Sequence, residues 1–266
     1  MSIEEIYQTL GKGFKVQTDT RKISEGEIYF ALKGENFNGN QFAADALQKG
    51  ARYALVDEKI CDDERCLLVD NVLETLQGLA LYHRQQLPIP FLAITGSNGK
   101  TTTKELLNAV LSTTYTTYAT RGNLNNHIGI PLTILNIPDD AEIAIIEMGA
   151  NHQKEIESYC RWVLPTHALI NNCGKAHLEG FGGIEGVRKG KGELYDFMRA
   201  HQGTIFRNVD LDYLLPMASG ITKQVTYGKG LADFSGIPLM KGPYLSVAIT
   251  TPHNECTLTS QLVGDY

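Results

Sequence analysis

The sequence is short of everything that would make it basic, membrane-borne or cross-linked. Its 266 residues carry a net charge of −6 and show no run of lysine and arginine, so the electrostatic footprint of a nucleic-acid binder is missing. No apolar stretch approaches the roughly 20 residues that cross a bilayer. The opening "MSIEEIYQTL" has acids where a secretory leader has bases. The five cysteines, at 61, 66, 160, 173 and 256, form no pair of C-x-x-C units. An odd, scattered set fits reduced thiols. Internal repeats, low-complexity tracts and a guanine-reading N-K-x-D sequence are also lacking. These absences leave the expectation of a soluble, cytoplasmic, monomeric protein with no nucleic-acid partner and no membrane insertion. Hydrophobic residues at 42% and charged residues at 20% are ordinary for a globular chain, and the length allows one large domain or two modest ones.

What is present begins with alternation. "EIYFAL" and "ARYALVDE" read as strands, "NQFAADALQKG" as a helix ending at Gly50, "CLLVD" as a strand and 71–86 as a helix. The prolines of "LPIP" then stop helical continuation, which predicts a boundary between a domain over 1–86 and another over 91–266. Beyond it, "FLAIT", "EIAIIEMG" and "THALINNCG" read as short buried strands. Residues 100–111 form a predicted helix with Leu106, Leu107, Val110 and Leu111 as its apolar stripe, and a second helix carries Ile156, Tyr159, Cys160 and Val163. This order predicts the α/β class, with a mainly parallel sheet covered on both faces. From about Thr222 the chain turns strand-rich, through "QVTYG", "LSVAITT" and "CTLTSQLVG".

The chemistry starts at the turn between "FLAIT" and the helix after it. A Walker A loop reads G-x-x-x-x-G-K-[ST], but here Ile94 stands where the first glycine belongs, and Gly96 gives a shorter G-x-x-G-K-T. Strand, glycine loop and helix N-terminus still predict a phosphate site, because amide N–H groups and the helix dipole converge there. Gly96, Ser97, Asn98, Gly99, Lys100, Thr101 and Thr102 are its candidate ATP-binding residues, with Lys100 on the outer phosphates and Thr101 offering its hydroxyl to Mg²⁺. An ordinary glycine turn is the alternative. Glu147 ends a buried strand, where a carboxylate can serve a metal or simply meet solvent. His177 follows another buried strand and reads equally as a structural residue or a ligand. Lys191 shares a helical face with Ile184, Val187, Leu194, Tyr195 and Met198. A lysine aimed inward must be paired, neutralised or modified, unless it snorkels out at the helix edge. Gly190 and Gly192 would leave room for something to approach it.

"TGSNGKTTT", "GNLNNHIGIP", "EMGANHQKEI" and "NNCGKAHLEGFGGIEGVRKGKGEL" together resemble the Mur ligases, in family order, across most of the chain from Thr18 onwards. "EMGAN" with "AHLEGFG" is similar to the branch that joins D-alanyl-D-alanine to UDP-N-acetylmuramoyl-tripeptide. The resemblance implies an ATP-dependent amide ligase of peptidoglycan precursor synthesis that works through an acyl phosphate, with Lys100, Glu147, His177 and Lys191 as catalytic residues. It further implies that Thr101 and Glu147 help hold one Mg²⁺ and His177 a second, supported by Lys191 in carbamylated form. Asn123, Asn125 and Asn126 match substrate-side contacts. Asp19, Thr20 and Arg21 match the UDP-sugar motif of a small N-terminal α/β substrate domain, followed by a P-loop-type central domain.

Asn40 stands where the family often has histidine, and Lys154 where glycine is common, which reads as a tolerable surface change. The family also carries a third, C-terminal domain that closes over ATP. The expectation is that 91–266 is an incomplete central domain, that the third domain is absent, and that the chain binds the UDP-sugar without turning over alone. A muramyl ligase adding a single amino acid, and a non-catalytic nucleotide-binding fragment, are the alternatives; a folylpolyglutamate synthase-like ligase is disfavoured by "EMGAN" and "DTR".

Overall fold

The computed structural model describes residues 1–60, 62–240 and 244–262. Cys61 and the end of the expected strand "CTLTSQLVG" lie outside the described residues. The chain opens with α1 (Ile3–Leu10), started by a capping box in which Ser2 and Glu5 satisfy each other's backbone N–H groups. Strands β1 (Val16–Gln17) and β2 (Ile28–Phe30) follow, then a small hairpin of β3 (Lys33–Gly34) and β4 (Phe37–Asn38). After α2 (Ala43–Gln48) come β5 (Tyr53–Val56) and β6 (Cys66–Leu68). β1, β2, β5 and β6 form a parallel sheet in that order. β2 is buried along its whole length, which is why it reads as an unbroken apolar run rather than an alternating one.

Helix α3 (Val72–Gln86) starts where Asn71 accepts hydrogen bonds from the N–H groups of Leu73 and Glu74. It buries Leu76, Leu79 and Ala80. One apolar cluster runs from Ile6 and Phe30 through Leu76 and Leu79 to Ile134, Ile146 and Ile156.

The second sheet is built from β7 (Phe91–Thr95), followed by α4 (Lys100–Leu111), β8 (Thr117–Ala119), α5 (Gly129–Leu135), β9 (Ile143–Glu147), α6 (Glu155–Val163) and β10 (His167–Ile170). Then come α7 (Leu178–Phe181), α8 (Ile184–Ala200), β11 (Thr204–Asn208), α9 (Leu214–Met217), β12 (Lys223–Gly228), β13 (Phe234–Met240), β14 (Leu245–Thr250) and β15 (Glu255–Thr259). Helix α3 packs against both α5 and α6 of this unit as well as against α1.

The strand order among the described residues is β15-β14-β13-β12-β11-β10-β7-β9-β8. It is parallel from β8 to β13 and antiparallel through β14 and β15. The expected α/β class, with its mainly parallel sheet and strand-rich end, is what the chain adopts. From β7 the chain leaves towards β8, and from β10 it leaves in the opposite direction towards β11. The crevice outside the carboxyl ends of β7 and β10 is therefore the point where the winding reverses, and ligands of open α/β sheets sit at such points.

One expectation holds only in part. Of the apolar stripe of α4, Leu107 and Leu111 pack on the cluster of Leu92, Ile94, Ile145 and Leu169, but Leu106 is 44% exposed and Val110 68%, and the helix's buried residue is Lys104. Leu106, Leu107 and Leu111 also border an apolar groove of about 1100 Å³ that continues over Leu169, Phe206 and Val225. The sheet face beside α4 is open there among the described residues, so helical periodicity marked an apolar face without marking what covers it.

Candidate active site

The glycine loop sits at the winding reversal, and its shape is imposed from β10. The Ser97 N–H donates to Asn172 O at 3.0 Å, the Asn98 N–H to Asn172 Oδ1 at 3.0 Å, and Ser97 Oγ to Gly174 O at 3.0 Å. Asn171 Nδ2 reaches Thr103 Oγ1 on α4 at 2.8 Å. Gly99, with φ +76, enters α4 from the left-handed region, and at Gly96 a Cβ would stand 2.9 Å from Asn171 Cβ. Both positions call for glycine. Asn171 and Asn172 were not among the candidates; paired asparagines directly after a buried strand were the available signal.

Lys100 folds back over the loop, with Nζ 2.7 Å from Gly96 O and 3.3 Å from Ser97 O. Burial draws its pKa below the usual lysine value, with the Glu147 charge acting the other way. Glu147 ends β9, in register with Ile94 of β7, and is 1% exposed. Its Oε2 accepts from Thr101 Oγ1 at 2.9 Å and its Oε1 from Asn125 Nδ2 at 2.7 Å. Its own N–H donates to Thr120 Oγ1 at 3.0 Å. The carboxylate is thus buried and oriented by neutral donors.

The three asparagines of "GNLNN" divide by role. Asn125 holds Glu147, and its carbonyl accepts the Gly149 N–H at 2.8 Å. Asn126 is spent on the start of α5, accepting from Ile128 and Gly129 N–H at 3.1 and 2.8 Å. Asn123 is exposed.

Lys191 points inward as its helical face predicted. It is 2% exposed, with Nζ 3.1 Å from Ala150 O and 5.1 Å from the centre of the Phe181 ring. Burial, and then the nearby Lys100 charge, bring its pKa down to about 8. The room expected at its flanking glycines is already filled. A Cβ on Gly190 would stand 2.5 Å from the Phe181 ring, and one on Gly192 would stand 3.3 Å from Met217 Cε. Those glycines serve helix packing.

His177 is exposed and holds φ +53 at the start of α7, an uncommon conformation for a non-glycine residue. Gly96, Ser97, Lys100, Asn125, Asn126, His177 and Lys191 all line one cavity of about 380 Å³. Asn151, Glu155 and Tyr159, which sequence reasoning missed, line it too. Thr101 and Glu147, hydrogen-bonded to each other, are not among its lining residues, whereas Asn98, Gly99 and Thr102 face the apolar groove on the loop's other side.

Asp19, Thr20 and Arg21 are not part of this cavity. They close on themselves: Arg21 Nε and Nη2 reach Asp19 at 2.9 and 2.8 Å, and the Arg21 N–H donates to Asp19 Oδ1 at 3.0 Å. These bonds hold the Asp19 carboxyl down to about 2. Asn40 is 1% exposed and braces Asp57 through bonds of 2.8 and 3.0 Å, a structural use. Lys154 is more than a surface change. Its side chain is exposed, but its φ is +74, so the position asks for glycine. Glu193 holds it there, accepting the Lys154 N–H at 2.6 Å and the Glu157 N–H at 3.0 Å.

No cluster of three or more His, Cys, Asp and Glu side chains suited to a metal occurs among the described residues. Mg²⁺ does not require one, because it binds through one or two carboxylates plus substrate phosphates and water. Glu147 fits that demand: it is a buried carboxylate whose bonded partners are neutral, next to the Thr101 hydroxyl and the loop.

This constellation on a doubly wound sheet defines the chain's class. Residues 94–266 match the Mur ligase middle domain and residues 15–81 the Mur ligase catalytic domain; the chain belongs to the Mur ligase family. It is 39% identical over 218 residues to UDP-N-acetylmuramoyl-tripeptide–D-alanyl-D-alanine ligase of Bacillus subtilis, covering 81% of this chain and 47% of that relative. The crystal structure of MurF from Acinetobacter baumannii superposes with a TM-score of 0.84 at 31% identity, over 97% of this chain and 60% of that one. MurF from Thermotoga maritima in complex with ADP gives 0.82 at 27% identity, over 93% and 58%. The chain spans about half the length of the curated relatives it matches.

Proposed function

We propose that this chain supplies the nucleotide-binding and UDP-sugar-binding parts of an ATP-dependent amide ligase of peptidoglycan precursor synthesis. The observation that carries the reading is the cavity lined by Gly96, Ser97, Lys100 and Lys191, together with the hydrogen bond between Glu147 and Thr101, the residue after Lys100. The relatives' names support UDP-N-acetylmuramoyl-tripeptide and D-alanyl-D-alanine as substrates, and the ADP bound to one of them supports ATP as the third. In this reading the tripeptide's terminal carboxylate attacks the γ-phosphate of ATP, and the D-alanyl-D-alanine amine then displaces phosphate from the acyl phosphate. Two anions must meet in the first step, and the Lys100 ammonium lowers that repulsion.

The loop amides orient the phosphates, and Lys100 exchanges its bonds to Gly96 and Ser97 for bonds to them. Glu147 and Thr101 would hold Mg²⁺, and His177, with Lys191 carbamylated, would hold a second ion. The metal, when bound, neutralises charge that builds on the transferring phosphoryl group. Asn125 keeps Glu147 in its orientation, and Asp19, Thr20 and Arg21 are assigned to the UDP-sugar. In the same reading the domains divide at 1–86 and 91–266, and the protein works as a cytoplasmic monomer. No helix of the described residues is long and apolar enough to cross a membrane.

Calorimetric titration with ATP and Mg²⁺, followed by phosphate release with the two muramyl-ligase substrates, tests the reading. ATP binding that tightens with Mg²⁺ and weakens in Lys100→Ala is the expected result; no binding to the parent chain would sink it. Acceptor preference for a single amino acid over D-alanyl-D-alanine would move the assignment to another muramyl ligase.

A further inference from the structure

Helix α4 turns its exposed side chains to solvent and to the apolar groove, yet buries an ammonium. Lys104 is 1% exposed. A buried cation is costly unless hydrogen-bonded and paired, so its partners show what it is for. Nζ donates to the backbone carbonyl of Thr120 at 2.6 Å. It also meets Glu105 at 2.7 Å, but that carboxylate is 62% exposed, and a pair open to water contributes little. The buried bond to Thr120 is therefore the one that accounts for the position.

Thr120 is itself 1% exposed and stands just after β8. Its Oγ1 accepts the Glu147 N–H at 3.0 Å, and its own N–H continues the ladder to Ile145 O at 3.0 Å. From Thr120 the chain runs on to Asn125, which holds Glu147 Oε1 at 2.7 Å. On the same face of α4, three residues earlier, Thr101 Oγ1 holds Glu147 Oε2 at 2.9 Å. Helix α4 thus grips the end of β9 at two heights: directly on the carboxylate through Thr101, and on its backbone through Lys104 and Thr120.

We propose that Lys104 is a positioning residue for Glu147, acting through Thr120 to fix the height and direction of the carboxylate beside the phosphate loop. This rests on the nucleotide-binding reading above. Lys104 touches neither substrate nor metal in this role; it fixes the start of the loop that delivers Asn125, and the strand end that delivers Glu147. Partners one step removed from a metal ligand typically change metal affinity about 10- to 100-fold when lost.

The test compares the parent with Lys104→Met, which keeps length and packing, and Lys104→Gln, which still donates a hydrogen bond. The Mg²⁺ concentration that half-saturates ATP binding should rise severalfold, up to about tenfold, in Lys104→Met because Lys104 acts one partner further out than Thr120, more than any change in metal-free ATP affinity, and should rise less in Lys104→Gln. Thr120→Val, which cuts the link on its Glu147 side, should shift Mg²⁺ dependence in the same direction and serves if the Lys104 variants do not fold. Amide hydrogen exchange at Glu147 should accelerate in Lys104→Met. An unchanged Mg²⁺ midpoint in a folded Lys104→Met or Thr120→Val would overturn the proposal. If the parent bound no nucleotide, the functional reading would fall separately, and unchanged exchange at Glu147 would still refute the role of Lys104.

Discussion

Two carboxylates, Asp19 and Glu147, show how differently this chain treats its charges. Asp19 is answered by Arg21, two residues away, in a fork of bonds at 2.8 and 2.9 Å on an open surface. Glu147 is buried and answered by Thr101 and Asn125, 46 and 22 residues away, neither of them charged. The first arrangement satisfies itself locally. The second leaves a net charge in a place that cost the fold several long-range contacts to build, and such an arrangement suits a cation arriving with a substrate.

The largest expected effect breaks that contrast outright. Glu147→Ala should weaken Mg²⁺-dependent ATP binding about 100-fold or more, whereas Asp19→Ala should leave it within about twofold. Equal losses in a calorimetric titration would mean the two carboxylates are not different in kind. Gly99→Ala comes next. With φ +76 and a Cβ 3.2 Å from Asn171 Nδ2, alanine should cost about 1–2 kcal/mol in stability and weaken ATP binding with it. Urea unfolding and titration of the same sample check both.

Lys154→Gly should act in the opposite direction. Relief of the left-handed strain, less the extra freedom of unfolded glycine, should leave a gain of about 0.5–1 kcal/mol, visible as a higher denaturation midpoint without change in ATP affinity. The smallest effect is on the Asp19 side. Its pKa is depressed to about 2, so its contribution is present above the ordinary aspartate pKa near 4 and is lost as pH falls towards 2. Asp19→Asn should flatten that acid limb slightly and leave stability near neutral pH unchanged, since the group is open to solvent screening. A stability loss in the variant at pH 7 comparable to that of Gly99→Ala would show that the surface fork carries more than its exposure suggests.

What could be read from the sequence was whatever its own neighbours determine. Asn71 announces α3, the glycines and Lys-Thr announce the loop, and the predicted helix at 100–111 has the bounds of α4. The inward face of α8 was legible because Lys191 recurs with Val187, Leu194 and Met198 at helical spacing. Partners across the sheet were not legible. Nothing local says that Leu106 borders an open groove while Lys104 is buried, or that Asn172 holds a loop 74 residues earlier. Strands β8, β11 and β13 went unread as well. Lys154 misled because exposure of a side chain says nothing about the torsion of its backbone.

The dependence of the phosphate loop on β10 has a consequence for how the protein assembles. Ser97 and Asn98 receive their hydrogen bonds only after residues 171–174 have docked alongside β7. That closure spans 74 residues between Asn98 and Asn172, and parallel pairings of such sequence separation form slowly. A peptide carrying 91–111 alone should therefore show no phosphate affinity, and nascent chains released before β10 would present the glycines without the grip. Acquisition of ATP binding during refolding should lag the recovery of helical signal, which makes nucleotide capture a clock for the last stage of sheet closure.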